Sequence, residues 1–250
     1  FERREVEAGM ERLQKQYVRI ALFLLPALFF YAALMVYPIA SSIRLSFHSW
    51  SGIGGMAMEF VGLDNYHRIF SDAAFWKPFR NTMYLMVMSI AIQIPAGFLL
   101  AVILNAKLKG TRYFKAAFFM PVILSATSVS LMWKFILYPG NGLLDKVLAG
   151  LGMEQFIRAW LADPSTLINM ILLITCWQNV GIVMLIFLSA LVSIPDAILE
   201  AAAIDGAGAV QRIWRVVVPL VWGALNINIV LIMVSSLKAF DIIYVLTGGT

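Results

Sequence analysis

The sequence has one cysteine, Cys176, so no disulfide can form within the chain, and a disulfide-stapled secreted scaffold is excluded. Histidine is nearly absent too. His48 and His67 have no cysteine or carboxylate at metal-ligand spacing near them, so they read as surface residues and no metal site is predicted. No Gly-x-x-x-x-Gly-Lys-Ser/Thr stretch occurs, so the chain has no P-loop of its own and no bound cofactor is expected. Internal repeats are missing, which removes support for an inverted-repeat carrier. Charge is scarce. Charged residues make up 13% of the chain and hydrophobic ones 61%, which excludes disorder and points to the membrane class. The net charge of +5 comes from basic residues scattered at the ends of apolar runs, with no basic patch interleaved with aromatics, so nucleic acid is not an expected partner.

Apolar runs dominate what is present. A helix needs about 20 apolar residues to cross a bilayer. Five runs qualify: Ile20 to Ala40, Thr82 to Leu104, Ala116 to Trp133 with an extension to Tyr138, a fourth within Ser165 to Pro195, and Val216 to Leu237. They predict an all-α, polytopic membrane bundle in which Cys176 is a small buried hydrophobe. Pro26, Pro38, Pro95, Pro121 and Pro219 are expected as kinks. Residues 1–19 mix four Glu with five Lys or Arg and read as a cytoplasmic tail or interfacial helix. The rest, 20–250, reads as one transmembrane domain with a polar loop at 193–215. Basic residues orient it. With the N-terminus in the cytoplasm, the tail, the cluster Lys107, Lys109, Arg112 and Lys115, and the pair Arg212 and Arg215 put eleven of nineteen basic residues inside.

Between the last two runs lies Glu200-Ala201-Ala202-Ala203-Ile204-Asp205-Gly206-Ala207. Good helix formers from Ile198 to Ala203 predict a short helix. Glu200 is placed in its first turn after Pro195 and Asp196, where a carboxylate suits the positive helix end. Gly206 and Gly208 then permit a sharp turn. The alternative is an Ala-rich connector without a partner.

With Ser193-Ile194-Pro195 before it and Pro219 after it, this stretch resembles the signature Glu-Ala-Ala loop of importer permeases of the ATP-binding-cassette (ABC) superfamily. Val218 replaces the usual Leu. Phe60-Val-Gly-Leu-Asp-Asn-Tyr66, Asn81-Thr82, Leu104-Asn105 with Lys109-Gly110, Trp133-Lys134, Trp177, and Phe240-Asp-Ile-Ile-Tyr244 with Leu246-Thr-Gly-Gly249 resemble the carbohydrate-uptake branch. The opening Ala21 to Ala27 with Tyr37-Pro38 is similar to the maltose and glycerol-3-phosphate type. The resemblance covers almost the whole chain. It implies a type I importer bundle in a bacterial or archaeal cytoplasmic membrane. It also implies a second permease, two ATPase subunits that use ATP and Mg, and an extracytoplasmic solute-binding protein. Glu200, Ala201, Ala202, Ala203, Asp205, Gly206 and Ala207 would couple the chain to the ATPases. Thr250 stands where the family has Pro, and a sixth span is expected in the full protein.

Polar residues inside spans are the other candidates, because each is costly unless paired or wet. Trp177, Gln178 and Asn179 offer an aromatic face and amides to a sugar; Ser235 and Ser236 offer hydroxyls. The resemblance places them, with Ile182 where the maltose permease has an aromatic, along the substrate pathway. Interhelical hydrogen bonding is the equally open alternative. Ser125, Thr127, Ser128 and Ser130 are weaker candidates. Three other functions stay open. A self-contained secondary carrier would need a carboxylate inside a run, and none has one. An intramembrane Ser/Lys hydrolase rests on the spacing of Ser235 and Lys238 alone. A purely structural membrane subunit is the last.

Overall fold

The computed structural model describes residues 2–53, 58–106 and 109–249; Lys107 of the basic cluster and Thr250 lie outside them. The chain divides into two units, Phe1–Lys77 and Pro78–Thr250.

In the first unit, α1 (Glu2–Tyr31) carries the charged tail into the first apolar run without a break. A π-helical turn (Ala32–Val36) follows, then α2 (Tyr37–Ser46). Arg19–Ser46 is long and apolar enough to cross a membrane, and its apolar residues stay exposed, as contact with lipid requires. A short hairpin comes next. β1 (His48–Ser49) pairs antiparallel with β2 (Glu59–Phe60), His48 opposite Phe60. Gly62 then takes φ +56, a left-handed turn, and α3 (Asp64–Ser71) begins with an acidic first residue. Asn65 Nδ2 donates to the carbonyls of Ser46 and His48, both at 3.0 Å. The Tyr66 hydroxyl meets Ser46 Oγ at 2.7 Å, and its ring packs on Phe47. The motif Phe60 to Tyr66 is therefore a fastener that ties the end of α2 to the hairpin and α3. His48 is partly exposed and bonds the Arg44 carbonyl through Nδ1, and His67 is exposed.

α4 (Ala73–Asn105) is a continuous helix of 33 residues. In the second unit, the third apolar run, read as one span, is two helices, α5 (Thr111–Ile123) and α6 (Ala126–Ile136), bent by 99°. The cause is local. Pro121 cannot donate in the last turn of α5, and Ser125 caps α6 by accepting from Ser128 N–H at 3.1 Å. α7 (Leu143–Gly150) is a short helix, and a 3-10 turn spans Glu154–Phe156. Asp145 is buried there and accepts from Gly140 N–H (2.8 Å) and Trp160 Nε1 (3.0 Å). α8 (Pro164–Val192) is the fourth span, with Asp163 as its N-cap. α9 (Asp196–Ile204) and α10 (Ala209–Arg212) lead to a second π turn (Ile213–Val217). α11 (Val218–Leu220) and α12 (Trp222–Leu237) follow, and the stretch Ala209–Leu220 meets α12 at 69°. α13 (Phe240–Thr247) ends the described chain.

Both π turns answer to proline. Leu34 and Arg215, each the middle residue of its π turn, lie four before Pro38 and Pro219. In α geometry a proline ring would strike the carbonyl four residues earlier, and widening the turn moves that carbonyl away.

α8 is the hub of the second unit. Toward one end, Val183, Met184, Phe187, Leu188 and Leu191 pack with Ala101 and Leu104 of α4 and with Val217, Val221 and Ile232. Toward the other, Ile171, Leu172, Ile174 and Cys176 pack with Leu85, Val129, Leu137, Ile242 and Leu246. In lipid, van der Waals packing rather than water exclusion holds such helices together, so small residues matter at the crossings. A Cβ on Gly97 would lie 2.5 Å from Val183 Cγ1, and one on Gly181 would strike the Phe118 carbonyl oxygen.

Candidate functional site

The segment around Glu200 forms a helix outside the two long packed clusters. α9 starts at Asp196, two residues earlier than Ile198, because Pro195 serves as its N-cap with extended backbone. Asp196, not Glu200, therefore occupies the first turn, and Glu200 falls in the second. The helix ends in a Schellman motif. Ala207 N–H donates to the Ala202 carbonyl at 3.0 Å and Gly206 N–H to the Ala203 carbonyl at 3.1 Å. Gly206 takes φ +81, which only glycine adopts without strain, and the space around it is open. Leu199 packs against the core while Ala202 and Ala207 are half-buried, so one side of α9 rests on the bundle. Glu200, Ala201, Ala203, Asp205 and Gly206 are exposed, as are Ile204, Val210 and Trp214 at 86%, 70% and 66%. Three large apolar side chains on one short polar loop form a surface suited to a protein partner.

The candidate residues of the spans diverge. Successive positions on α8 are turned by about 100°. The Trp177 ring is exposed on one side and meets Trp133 edge-to-face at 5.6 Å. Gln178 is buried, and its Nε2 donates to the Leu124 carbonyl at 3.2 Å. Asn179 Nδ2 turns back onto the Thr175 carbonyl of its own helix at 2.9 Å. Ile182 is exposed, five residues after Trp177 and on a different face. Ser235 is exposed and donates to the Ile232 carbonyl, whereas Ser236 is buried. Ser130 Oγ donates to the Ala126 carbonyl, and Ser125 and Ser128 bond each other.

Three polar residues not singled out from the sequence are buried as deeply as Ser130. Ser89 and Gln93 are 1% exposed, one turn apart on α4, and Asn228 of α12 is fully buried. Gln93 Nε2 faces Cys176 Sγ at 3.7 Å, and Asn228 Nδ2 faces the Val183 carbonyl at 3.5 Å. Ser89 Oγ, Gln93 Oε1 and Asn228 Oδ1 have no partner. The rule that flagged Gln178, a polar side chain inside an apolar run, applied equally to Gln93 and Asn228. Among the described residues no cluster of three His, Cys, Asp or Glu could hold a metal.

Three comparisons bear on this arrangement. The family model described as "Binding-protein-dependent transport system inner membrane component" matches residues 93–250. The probable ABC transporter permease protein YurN of Bacillus subtilis is 36% identical over 91% of this chain and 78% of its own length. The multiple sugar-binding transport system permease protein MsmF of Streptococcus mutans is 34% identical over 91% of this chain and 77% of its own length. A chain of a bacterial alginate ABC transporter, solved with an alginate pentasaccharide-bound periplasmic protein, superposes with a TM-score of 0.76 at 19% identity, covering 95% of this chain and 81% of that one.

Proposed function

This chain belongs to the family of binding-protein-dependent transport system inner membrane components, and we propose that the solute it moves is a carbohydrate or related polyol. It is a membrane permease of an ABC importer, and the chemical work of ATP hydrolysis belongs to other subunits. The carbohydrate reading draws on the sugar named for MsmF and the polysaccharide named for the alginate transporter. The observation that carries the mechanism is α9, a helix stopped by Gly206, half resting on the bundle and half offered outward. A second permease completes the pathway. Two ATPases, using ATP and Mg, each grip one such loop. Closure of the ATPases pushes α9, and the push opens the bundle beneath a solute-loaded binding protein. The N-terminus and α9 lie in the cytoplasm. Trp177 and Ser235, exposed in this chain, face the pathway that the second permease encloses.

The test is reconstitution with the partner permease, the ATPases and the binding protein. Solute-stimulated ATP hydrolysis and uptake of a labelled sugar are expected. Uptake by the purified chain alone, driven by an ion gradient, would overturn the reading in favour of a secondary carrier.

A further inference from the structure

The bend between α5 and α6 leaves backbone groups to satisfy at membrane depth. Leu124 is extended (φ −72, ψ 142), and Ser125 is the N-cap of α6. The Ser125 carbonyl accepts from Val129 N–H at 3.0 Å, the first bond of α6. The Leu124 carbonyl lies one residue outside that ladder and has no helical donor. Irregular backbone survives in a bilayer only where protein or a cavity supplies its partners. Gln178 supplies this one, from 54 residues away on α8, with its Nε2 at 3.2 Å. The side chain is 9% exposed, so the bond is shielded from water. One turn on, Gly181 lets the backbone of α8 approach that of α5 at Phe118 and Phe119. Gln178 and Gly181 thus fasten the bent span to the hub helix at neighbouring points.

We infer that Gln178 is a positioning residue rather than a solute ligand: its amide, donating to the Leu124 carbonyl, locks the bend between α5 and α6 to α8 so that the two halves move with the hub during transport. This rests on the reading of the chain as an importer permease. With one amide proton committed to a backbone carbonyl and the side chain 9% exposed, little of Gln178 is left to recognise a hydroxyl. Its loss would loosen the bend and leave the solute site as it was.

The experiment uses the full chain with its partner subunits in lipid nanodiscs. Gln178→Met keeps the volume and removes the donor; Gln178→Asn keeps an amide but falls one methylene short. Spin labels go on cysteines at Tyr113 of α5 and Phe135 of α6, which are 79% and 74% exposed, in a Cys176→Ala background. The parent should give one narrow distance, and both variants a broadened or displaced one. In transport assays Gln178→Met should lower maximal rate about tenfold while the solute KM moves less than about twofold. A parent-like distance distribution in both variants would overturn the lock, as would a rise in KM with the maximal rate intact. If Gln178→Met does not assemble, the distances in Gln178→Asn decide alone. Should the parent complex transport no sugar, the proposed solute fails, and the distance measurement still decides the role of Gln178.

Discussion

Two glycines in the spans have opposite tolerances. A Cβ on Gly181 would meet the Phe118 carbonyl, a backbone atom that cannot rotate aside, whereas a Cβ on Gly223 of α12 meets nothing within 4 Å. Gly181→Ala should therefore cost about 1–3 kcal/mol through overpacking. Gly223→Ala should be neutral or stabilise by up to about 1 kcal/mol, since Ala is the better helix former. Thermal midpoints of the detergent-solubilised protein check both, and equal midpoints would refute the close crossing of α8 and α5. Neither tolerance was legible in the sequence, where both are single glycines in apolar runs. Asp163 gives a prediction in pH. Ser165 N–H and then its hydroxyl donate to the carboxylate, and with a small help from Arg158 they outweigh desolvation and hold its pKa below the usual carboxylate value. A depressed folded pKa stabilises above the unfolded value and ceases to do so as pH falls through the folded one. Parent and Asp163→Ala should thus differ in thermal midpoint near neutrality, and the gap should close as pH drops below the ordinary carboxylate range.

At the scale of elements, the exposed loop was the most legible part of the chain. Its helix, its glycine stop and its polar setting all followed from residue type. The start was misplaced by two residues because Pro195 can cap a helix although it cannot continue one. Gly206→Leu forces a side chain into the left-handed region, and Glu200→Lys reverses an exposed charge. Both variants should insert and pair with the second permease, yet lose ATPase copurification or solute-stimulated hydrolysis. Parent values of both quantities in Gly206→Leu would make α9 a plain connector. The third run was read less well. Hydropathy counts apolar residues and is blind to caps, so Ser125 and Pro121 in one run looked like a span with a kink rather than two helices at 99°. The same blindness hid the fate of Gln178. Sequence marks a polar side chain as costly in lipid, but a long-range partner such as the Leu124 carbonyl is visible only in the fold.

For the whole molecule, the apolar runs were legible and their shapes were not: among the described residues three helices are long and apolar enough to cross a membrane, or up to five if each bent pair counts as one span. Orientation is checked by single cysteines in a Cys176→Ala background, labelled by an impermeant reagent on intact cells. Positions 64 and 146 should react and positions 109 and 211 should not. Lys146 serves better than its neighbour because Asp145 is buried and committed to Gly140 and Trp160. Reaction at 109 without reaction at 64 would invert the orientation. The two π turns bear on how such a chain can change length. Each is a one-residue surplus that a helix has absorbed without breaking, and everything beyond it is rotated by about 100° against what precedes. Removing one residue from Ile213–Val217 would return that register to an ordinary helix, press Pro219 against the backbone behind it, and swing α12, which meets that stretch at 69°, around the axis of α11. Lineages that keep the proline are therefore expected to keep the surplus residue, and a chain that has lost one should have lost the other.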